Sequence, residues 1–447
     1  MNHPPSAHLW PDNVRNDEGT WSMAGLTFAE LAERFDTPSF LLDVAALRRR
    51  ARRYREVFQS AFEAAGAQVQ VYYASKAFSS TAVLRWVHAE GLRVDVASHG
   101  ELLTAVRAGV PGPDIGLHGN NKSDAEIALA LDHGIGRIIV DSLPEIDQVA
   151  ELARIRGVRA PVLVRVTTGV HAGGHDFIAT AHEDQKFGLS LASGAAAQAL
   201  ELIEANPHLE LRGLHSHIGS QILDPEGFAA AAGALFTLRA DLAADGGPVL
   251  PEVDLGGGLG IAYLPGDQEP NLEHIAARVA DAVLAASEKD QLPLPELSFE
   301  PGRAVIGPAM CTLYRVGTVK PVALDDGGQR LYVSVDGGMS DNLRTALYGA
   351  AYHADLVSRH STAEPLAARV VGMHCESGDV VVRDVRLPAD ITAGDLLAVP
   401  ATGAYGRSMA SNYNLVARPP VVAVADGGAR EIVRRESIED VLALDVG

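Results

Sequence analysis

The chain has 447 residues, 47% of them hydrophobic and 21% charged, and a formal net charge of −20. That length exceeds one small core and suits a two-domain enzyme. The negative field excludes a nucleic-acid duplex or an anionic membrane as partner, because the densest basic run, Arg48 to Arg55, reads as the solvated face of a helix.

Residues 1–24 lack periodicity and are expected to be loosely ordered, with no basic-then-apolar leader. No segment approaches the ~18 apolar residues of a membrane span. Only two cysteines occur, Cys311 and Cys375, which argues against a disulfide framework and for a cytoplasmic location. Residues 25–47 contain PSFLLD (38–43), a strand expected to join a β domain.

From residue 69 the chain alternates short apolar strands with amphipathic helices. The predicted strands are 69–76, 92–98, 114–119, 136–142, 161–166, 211–217, 253–258 and 296–302. Ser79 or Ser80, Ser123 and Ser142 are placed to cap the helices between them, which end near Gly91, Gly134 and Gly157. Strand–helix alternation implies a parallel sheet, and eight units favour an α/β fold closed into a (β/α)8 barrel, assigned to residues 48–310. Beyond it the rhythm changes. Runs at 331–338, 368–375, 379–387, 395–400 and 421–426 read as strands of a second, β-rich domain, 311–447.

Chemistry in such a barrel sits at the C-terminal strand ends. Those ends carry Lys76, Ser98 with His99, His118 with Asn120 and Asn121, Asp141, Arg165, His217, the glycines 256–258 and Glu300. Lys76, flanked by Tyr73, Ala74, Ala77 and Phe78, is expected to be partly desolvated, which lowers an amine's pKa and makes it a nucleophile toward carbonyls. His215 and His217 lie two apart, on one face of a strand. They read either as a metal pair, with His118 and Asp141 as further ligands, or as a plate against a flat ring, with His215 a satisfied structural histidine by default. No metal is expected. DLGGGLG (254–260) and EPGR (300–303) end strands seven and eight, where barrels often hold phosphate. Glu300 beside that cradle could keep a pyridine nitrogen protonated, or could simply pair with Arg303.

Seven ordered motifs carry a family resemblance: YYASKAF (72–78), LHSHIGSQ (214–221), DLGGGLGI (254–261), EPGR, DGGMSDNLRTALYGA (336–350), CESGD (375–379) and ATGAYGRSMASNYN (401–414). Together they resemble the fold-type III pyridoxal-phosphate-dependent decarboxylases, over about residues 24–440. The resemblance implies pyridoxal 5'-phosphate as cofactor and Lys76 as its covalent anchor. It implies His217 stacked on the cofactor ring and Glu300 at the ring nitrogen. Ser220, Gly257, Gly258, Pro301, Gly302 and Arg303 would lie around the phosphate, with Asp95 and Arg165 as supporting residues. Cys375 would be the proton donor and Glu376 its substrate-binding neighbour, both reaching the site from the second subunit of a homodimer. Tyr405 would touch cofactor and substrate. Arg303, Arg344 and Tyr348 would bind the carboxylate at the unreacting centre.

The pattern is nearest to members that act on meso-2,6-diaminopimelate, giving L-lysine and carbon dioxide in the last step of lysine biosynthesis. A substrate with two amino-acid ends needs a second anion site, and CESGD fits that better than the aspartate that follows the cysteine in ornithine-type relatives. Arg407 stands where a small residue is usual, at the pocket rim. The competing readings are a decarboxylase of ornithine, arginine or carboxynorspermidine, a racemase of the same fold, a non-catalytic cofactor-binding regulator and a zinc hydrolase.

Overall fold

The computed structural model describes residues 6–63, 66–170 and 186–447. They fall into two units. One comprises Ala51–Gly260 with Glu269–Gly302, and the other Met1–Arg50, Ile261–Gln268 and Arg303–Gly447. The first unit therefore ends at Gly302, earlier than the expected residue 310, and Ile261–Gln268 belongs to the second.

In the first unit, all eight expected strands form. They are Val69–Ala74, Arg93–Val96, Ile115–Leu117, Arg137–Val140, Ala160–Thr167, Leu209–His215, Glu252–Asp254 and Glu296–Phe299. Each pairs in parallel with the next, and the eighth pairs with the first, so the sheet closes. Six strands are shorter than their sequence runs, because the polar residues closing those runs lie in the loops that follow; Ala160–Thr167 instead extends its run by one residue at each end, and Leu209–His215 keeps its length but lies two residues earlier. Ser80 and Ser123 cap their helices by accepting from the Val83 and Glu126 backbone N–H groups, each cap contributing about 1 kcal/mol. Ser142 precedes its helix, Leu143–Arg156, without a side-chain cap, and Gly157 ends that helix in the left-handed conformation.

The helix Glu226–Ala244 is long and apolar enough to cross a membrane by length and composition, although Glu226, Arg239 and Asp241 keep it from being a continuous apolar run. It packs as a barrel helix. Phe228, Leu235 and Phe236 are buried, and Arg239 donates to the Leu250 carbonyl at 2.8 Å.

The second unit is organised on Met310–Ala323. This strand pairs antiparallel with Ser39–Asp43, with Gln329–Val335 and with Leu396–Pro400. Ser39–Asp43 also pairs in parallel with Val421–Ala425, so the N-terminal strand joins the β unit as expected. Pro365–Val371 and Val380–Pro388 extend the sheet. The run 368–375 is a strand only as far as Val371, and Cys375 lies in the turn that follows.

Part of the N-terminal segment departs from its expected looseness. Val14–Asp17 and Thr20–Met23 form a hairpin, and Trp10, Trp21 and Met23 pack in a core with Phe28, Leu41, Leu313 and Val422. The two tryptophan rings are 5.0 Å apart. Large aromatic area outweighs the missing periodicity here. The helix Phe28–Phe35, started by a Thr27–Glu30 capping box, was also not foreseen.

Candidate active site

The barrel interior sets the electrostatics of the first site. Arg137, at the start of the fourth strand, is 1% exposed and lies flat over the Tyr72 ring, 3.6 Å from its centroid. Its guanidinium is 2.5 Å from Asp254, 3.5 Å from Asp95 and 3.7 Å from Glu300. Gly116, on the intervening strand, makes room for this group, since a Cβ there would lie 2.5 Å from the Asp95 carboxylate. Burial, with Glu300's charge nearby, raises the pKa of Asp95 and Asp254.

Glu300 follows the eighth strand and is 6% exposed. Its Oε1 lies 3.1 Å from His118 Nε2 and 3.2 Å from His215 Nε2. Burial opposes ionisation of this carboxyl, but the charge of His118 and contact with His215 outweigh it and hold the pKa well below the ordinary carboxylate range. Burial also opposes charge on His118, yet Glu300 and Asp95 push its pKa up to about 9. His215, fully buried, is driven down to about 3 by desolvation and stays neutral. The closest contacts of Glu300 with His118, His215 and Arg137 all fall on Oε1, and Oε2 takes no hydrogen bond among the described residues.

His215 is thus a partner of Glu300 rather than a satisfied structural histidine, and its ring nitrogens have no aligned hydrogen bond. The strand ends at His215, so His215 and His217 do not form a pair on one strand face. His118, His215 and Glu300 offer three ligand atoms within 4.8 Å of one another, a spacing that a cation could bridge. Arg137, 3.7 Å from the same carboxylate oxygen, places positive charge there already and works against one.

Lys76 sits in a 3-10 turn, Ser75–Ala77, directly after the first strand. Its flanks Ser75, Ala77 and Phe78 are buried but Lys76 itself is exposed, which corrects the expected desolvation: the turn takes its neighbours inward and leaves the amine at the mouth. Lys76 is close enough to His217 to act on it. Burial first, then the Lys76 charge, pushes the His217 pKa well below its ordinary value. The neutral ring accepts at Nδ1 from the Gly257 N–H, 3.2 Å away, which fixes its tautomer and orientation. Arg165 lies 3.8 Å from Asp141 and over the Phe187 ring at 4.5 Å.

The loops after strands six and seven are zipped together, Ile222 N–H donating to Gly258 O and Gly260 N–H to Ile222 O, each at 2.9 Å. Gly258 has φ +108°, and a Cβ there would lie 2.4 Å from Gly219 O. Only glycine allows the Gly219 and Gly258 backbones to approach this closely. Gly302 is held to similar tightness by Ala74. These are the features a phosphorylated pyridine ring requires: glycine loops for the phosphate, a fixed neutral imidazole, an accessible amine and an ionised carboxylate with one oxygen clamped and one free. The residues fit pyridoxal 5'-phosphate.

The second unit holds its own polar cluster. Arg344 is 7% exposed, and its guanidinium donates to the hydroxyls of Tyr263 at 2.9 Å and Tyr352 at 2.5 Å. Arg303 also donates to Tyr263 and stacks over Tyr405 at 4.9 Å. Burial pushes Tyr352 up to about 12, against the pull of Arg344, so its phenol is neutral. Among the described residues no carboxylate pairs with Arg344. Tyr263 and Tyr352 had no motif to mark them in the sequence; only their contact with Arg344 identifies them. Tyr348, expected beside Arg344, is 55% exposed. Tyr405 adopts φ +60°, a strained value for a non-glycine residue and one typical of functional loops. Arg407 donates to the Pro419 carbonyl at 3.1 Å.

The CESGD turn is exposed at Cys375 and Glu376 and anchored behind them. Asp379 accepts from the Met339 N–H at 2.6 Å and the His374 N–H at 2.7 Å. The His374 ring contacts Ser340 Oγ at 2.8 Å and Asn414 Oδ1 at 2.9 Å. Tyr413 donates to the Glu376 carboxylate. Cys375 and Cys311 are both unpaired, the first exposed and the second buried.

The family model described as "Pyridoxal-dependent decarboxylase, pyridoxal binding domain" matches residues 44–307. A protein of Mycobacterium tuberculosis named diaminopimelate decarboxylase is 50% identical over 98% of this chain and 98% of its own. One of the same name from Bacillus subtilis is 43% identical, covering 97% and 96% of the two chains. The crystal structure of diaminopimelate decarboxylase from M. jannaschii in co-complex with L-lysine superposes with a TM-score of 0.90 at 33% identity, over 98% of each chain.

Proposed function

The chain belongs to the pyridoxal-dependent decarboxylases, in the branch of the diaminopimelate decarboxylases, and from that premise we propose how its residues divide the work. The reaction is decarboxylation of meso-2,6-diaminopimelate to L-lysine and carbon dioxide. Pyridoxal 5'-phosphate supplies the electron sink that accepts the bonding pair as carbon dioxide leaves.

Lys76 anchors the cofactor through its Nζ, and His217 lies against the ring. Ser220, Gly257, Gly258, Pro301, Gly302 and Arg303 hold the phosphate. Glu300, through its free Oε2, keeps the ring nitrogen protonated, with Asp95 and Arg165 supporting the cup. Cys375 Sγ gives a proton to the α-carbon, and Glu376 and Tyr405 orient the substrate. Arg303, Arg344 and Tyr348 take the carboxylate of the centre that does not react. The exposed CESGD turn supports a homodimer in which Cys375 and Glu376 serve the other copy's site. The two unpaired cysteines support a cytoplasmic location.

The observation that carries the substrate assignment is Arg344: a buried guanidinium fixed by two tyrosine hydroxyls, with no carboxylate pairing with it among the described residues. Such a group is costly to bury without an anion, and a second substrate carboxylate supplies one bidentately. The distal amine of ornithine would be repelled. Purified protein with pyridoxal 5'-phosphate should release carbon dioxide from meso-2,6-diaminopimelate and form lysine. Equal or faster turnover of ornithine, arginine or carboxynorspermidine would reject the assignment.

A further inference from the structure

Glu300 is caged from behind. His118 follows the third strand, His215 ends the sixth and Arg137 begins the fourth, and all three converge on Oε1 at 3.1, 3.2 and 3.7 Å. The imidazole contacts are at ion-pair distance, without hydrogen-bond alignment. His118 shares that same Nε2 between Glu300 and Asp95, whose Oδ1 lies 3.3 Å away. Its ring meets the His215 ring edge-on, centroids 5.1 Å apart, so each imidazole limits the other's rotation. The opposite carboxylate oxygen takes no hydrogen bond among the described residues.

We propose that His118 and His215 are positioning residues that clamp Oε1 of Glu300, so that the carboxylate presents Oε2, ionised and in one orientation, to the cofactor's ring nitrogen. The proposal rests on the reading of Glu300 given above. A carboxylate free to rotate in a dry cup would lose both its aim and the positive neighbours that keep it charged. The asymmetry divides the labour: His118, braced by Asp95, supplies charge, and neutral His215 supplies a wall. Arg137 serves the same oxygen from farther away and is occupied chiefly by Asp254, 2.5 Å from it. The charged and titratable groups facing Glu300 are thus His118, His215, Arg137, Asp95 and Asp254, with Arg165 and His217 also within its electrostatic reach.

The test compares the full-length protein with its H118L, H118Q and H215Q variants, each loaded with pyridoxal 5'-phosphate. Cofactor dissociation constants and visible absorption are read across a pH series, and melting curves establish folding. H118L should bind cofactor roughly tenfold more weakly, the size of a lost charged contact. Its absorption should titrate with pH where that of the parent is flat, an effect that loosened packing alone does not produce. H118Q, which keeps a polar group able to reach Oε1, should recover most of the affinity. If H118L does not fold, H118Q and H215Q carry the test through smaller shifts in the same direction. Folded variants with parental affinity and a pH-independent spectrum would overturn the clamp while leaving the proposed function standing. Stoichiometric zinc binding by the cofactor-free parent, lost in H118L, would overturn it in favour of a metal site. A parent that takes up no cofactor would overturn both readings.

Discussion

The two units treat buried charge in opposite ways. In the barrel, Glu300, Asp95 and Asp254 are answered by Arg137 and His118 from the same unit, within 3.7 Å at most. In the β unit, Arg344 is buried against two phenols with no carboxylate to answer it among the described residues, and the CESGD turn holds Cys375 and Glu376 out in the open. One unit has settled its charges so as to hold a fixed electron sink. The other leaves, among the described residues, a buried cation without a carboxylate and a thiol exposed. A cofactor stays through every turnover and rewards a preorganised cup, whereas a substrate must come and go.

The comparison is broken most directly at Cys375. Cys375→Ala should lower turnover by between about a hundredfold and ten thousandfold, the range for a lost general acid, while cofactor affinity stays at the parental value. Steady-state rates and a cofactor titration on one preparation decide this. Full turnover in that variant would remove the proton-donor role.

Arg344→Met should lower kcat/KM for meso-2,6-diaminopimelate by roughly a hundredfold, as expected for a lost bidentate carboxylate contact. Arg344→Lys should recover little of it, because an ammonium cannot reproduce the planar fork. A variant whose preference did not move away from the two-ended substrate would show that the unanswered guanidinium is structural.

A smaller effect sharpens the contrast from the barrel side. The folded-state pKa of His118, about 9, lies above its ordinary 6.5. Its stabilising contribution should therefore be complete below pH 6.5 and disappear as pH rises through about 9. His215 acts in the other direction: with a folded value of about 3, it destabilises the fold as pH falls below 6.5. Melting temperatures of the cofactor-free protein should fall between pH 6.5 and 9, with a shallower slope in H118L. Identical slopes would mean that His118 is not charged beside Glu300.

The eight strands were legible because each is a short apolar run closed by a polar residue, and the motif residues at those closures do gather at the barrel's end. The N-terminal hairpin was not, since two tryptophans anchor it through long-range packing that leaves no period in the sequence. The contacts of His118 and His215 were not legible for a related reason. Spacing two apart paired His215 with His217, but the strand stops at His215, and the contacts that matter cross the barrel to Glu300 and His118. Tyr263 and Tyr352 lie outside any motif and become visible only through the guanidinium they hold. Lys76 was placed correctly at a strand end, yet its apolar flanks wrongly suggested a desolvated amine, because a 3-10 turn separates the exposure of adjacent residues.

The measurement closest to the central claim is borohydride reduction of the protein loaded with pyridoxal 5'-phosphate, followed by proteolysis and mass spectrometry. The account expects visible absorption that is lost on reduction and a single phosphopyridoxyl adduct on the peptide carrying Lys76. An adduct on another lysine, or none from protein supplied with excess cofactor, would contradict it.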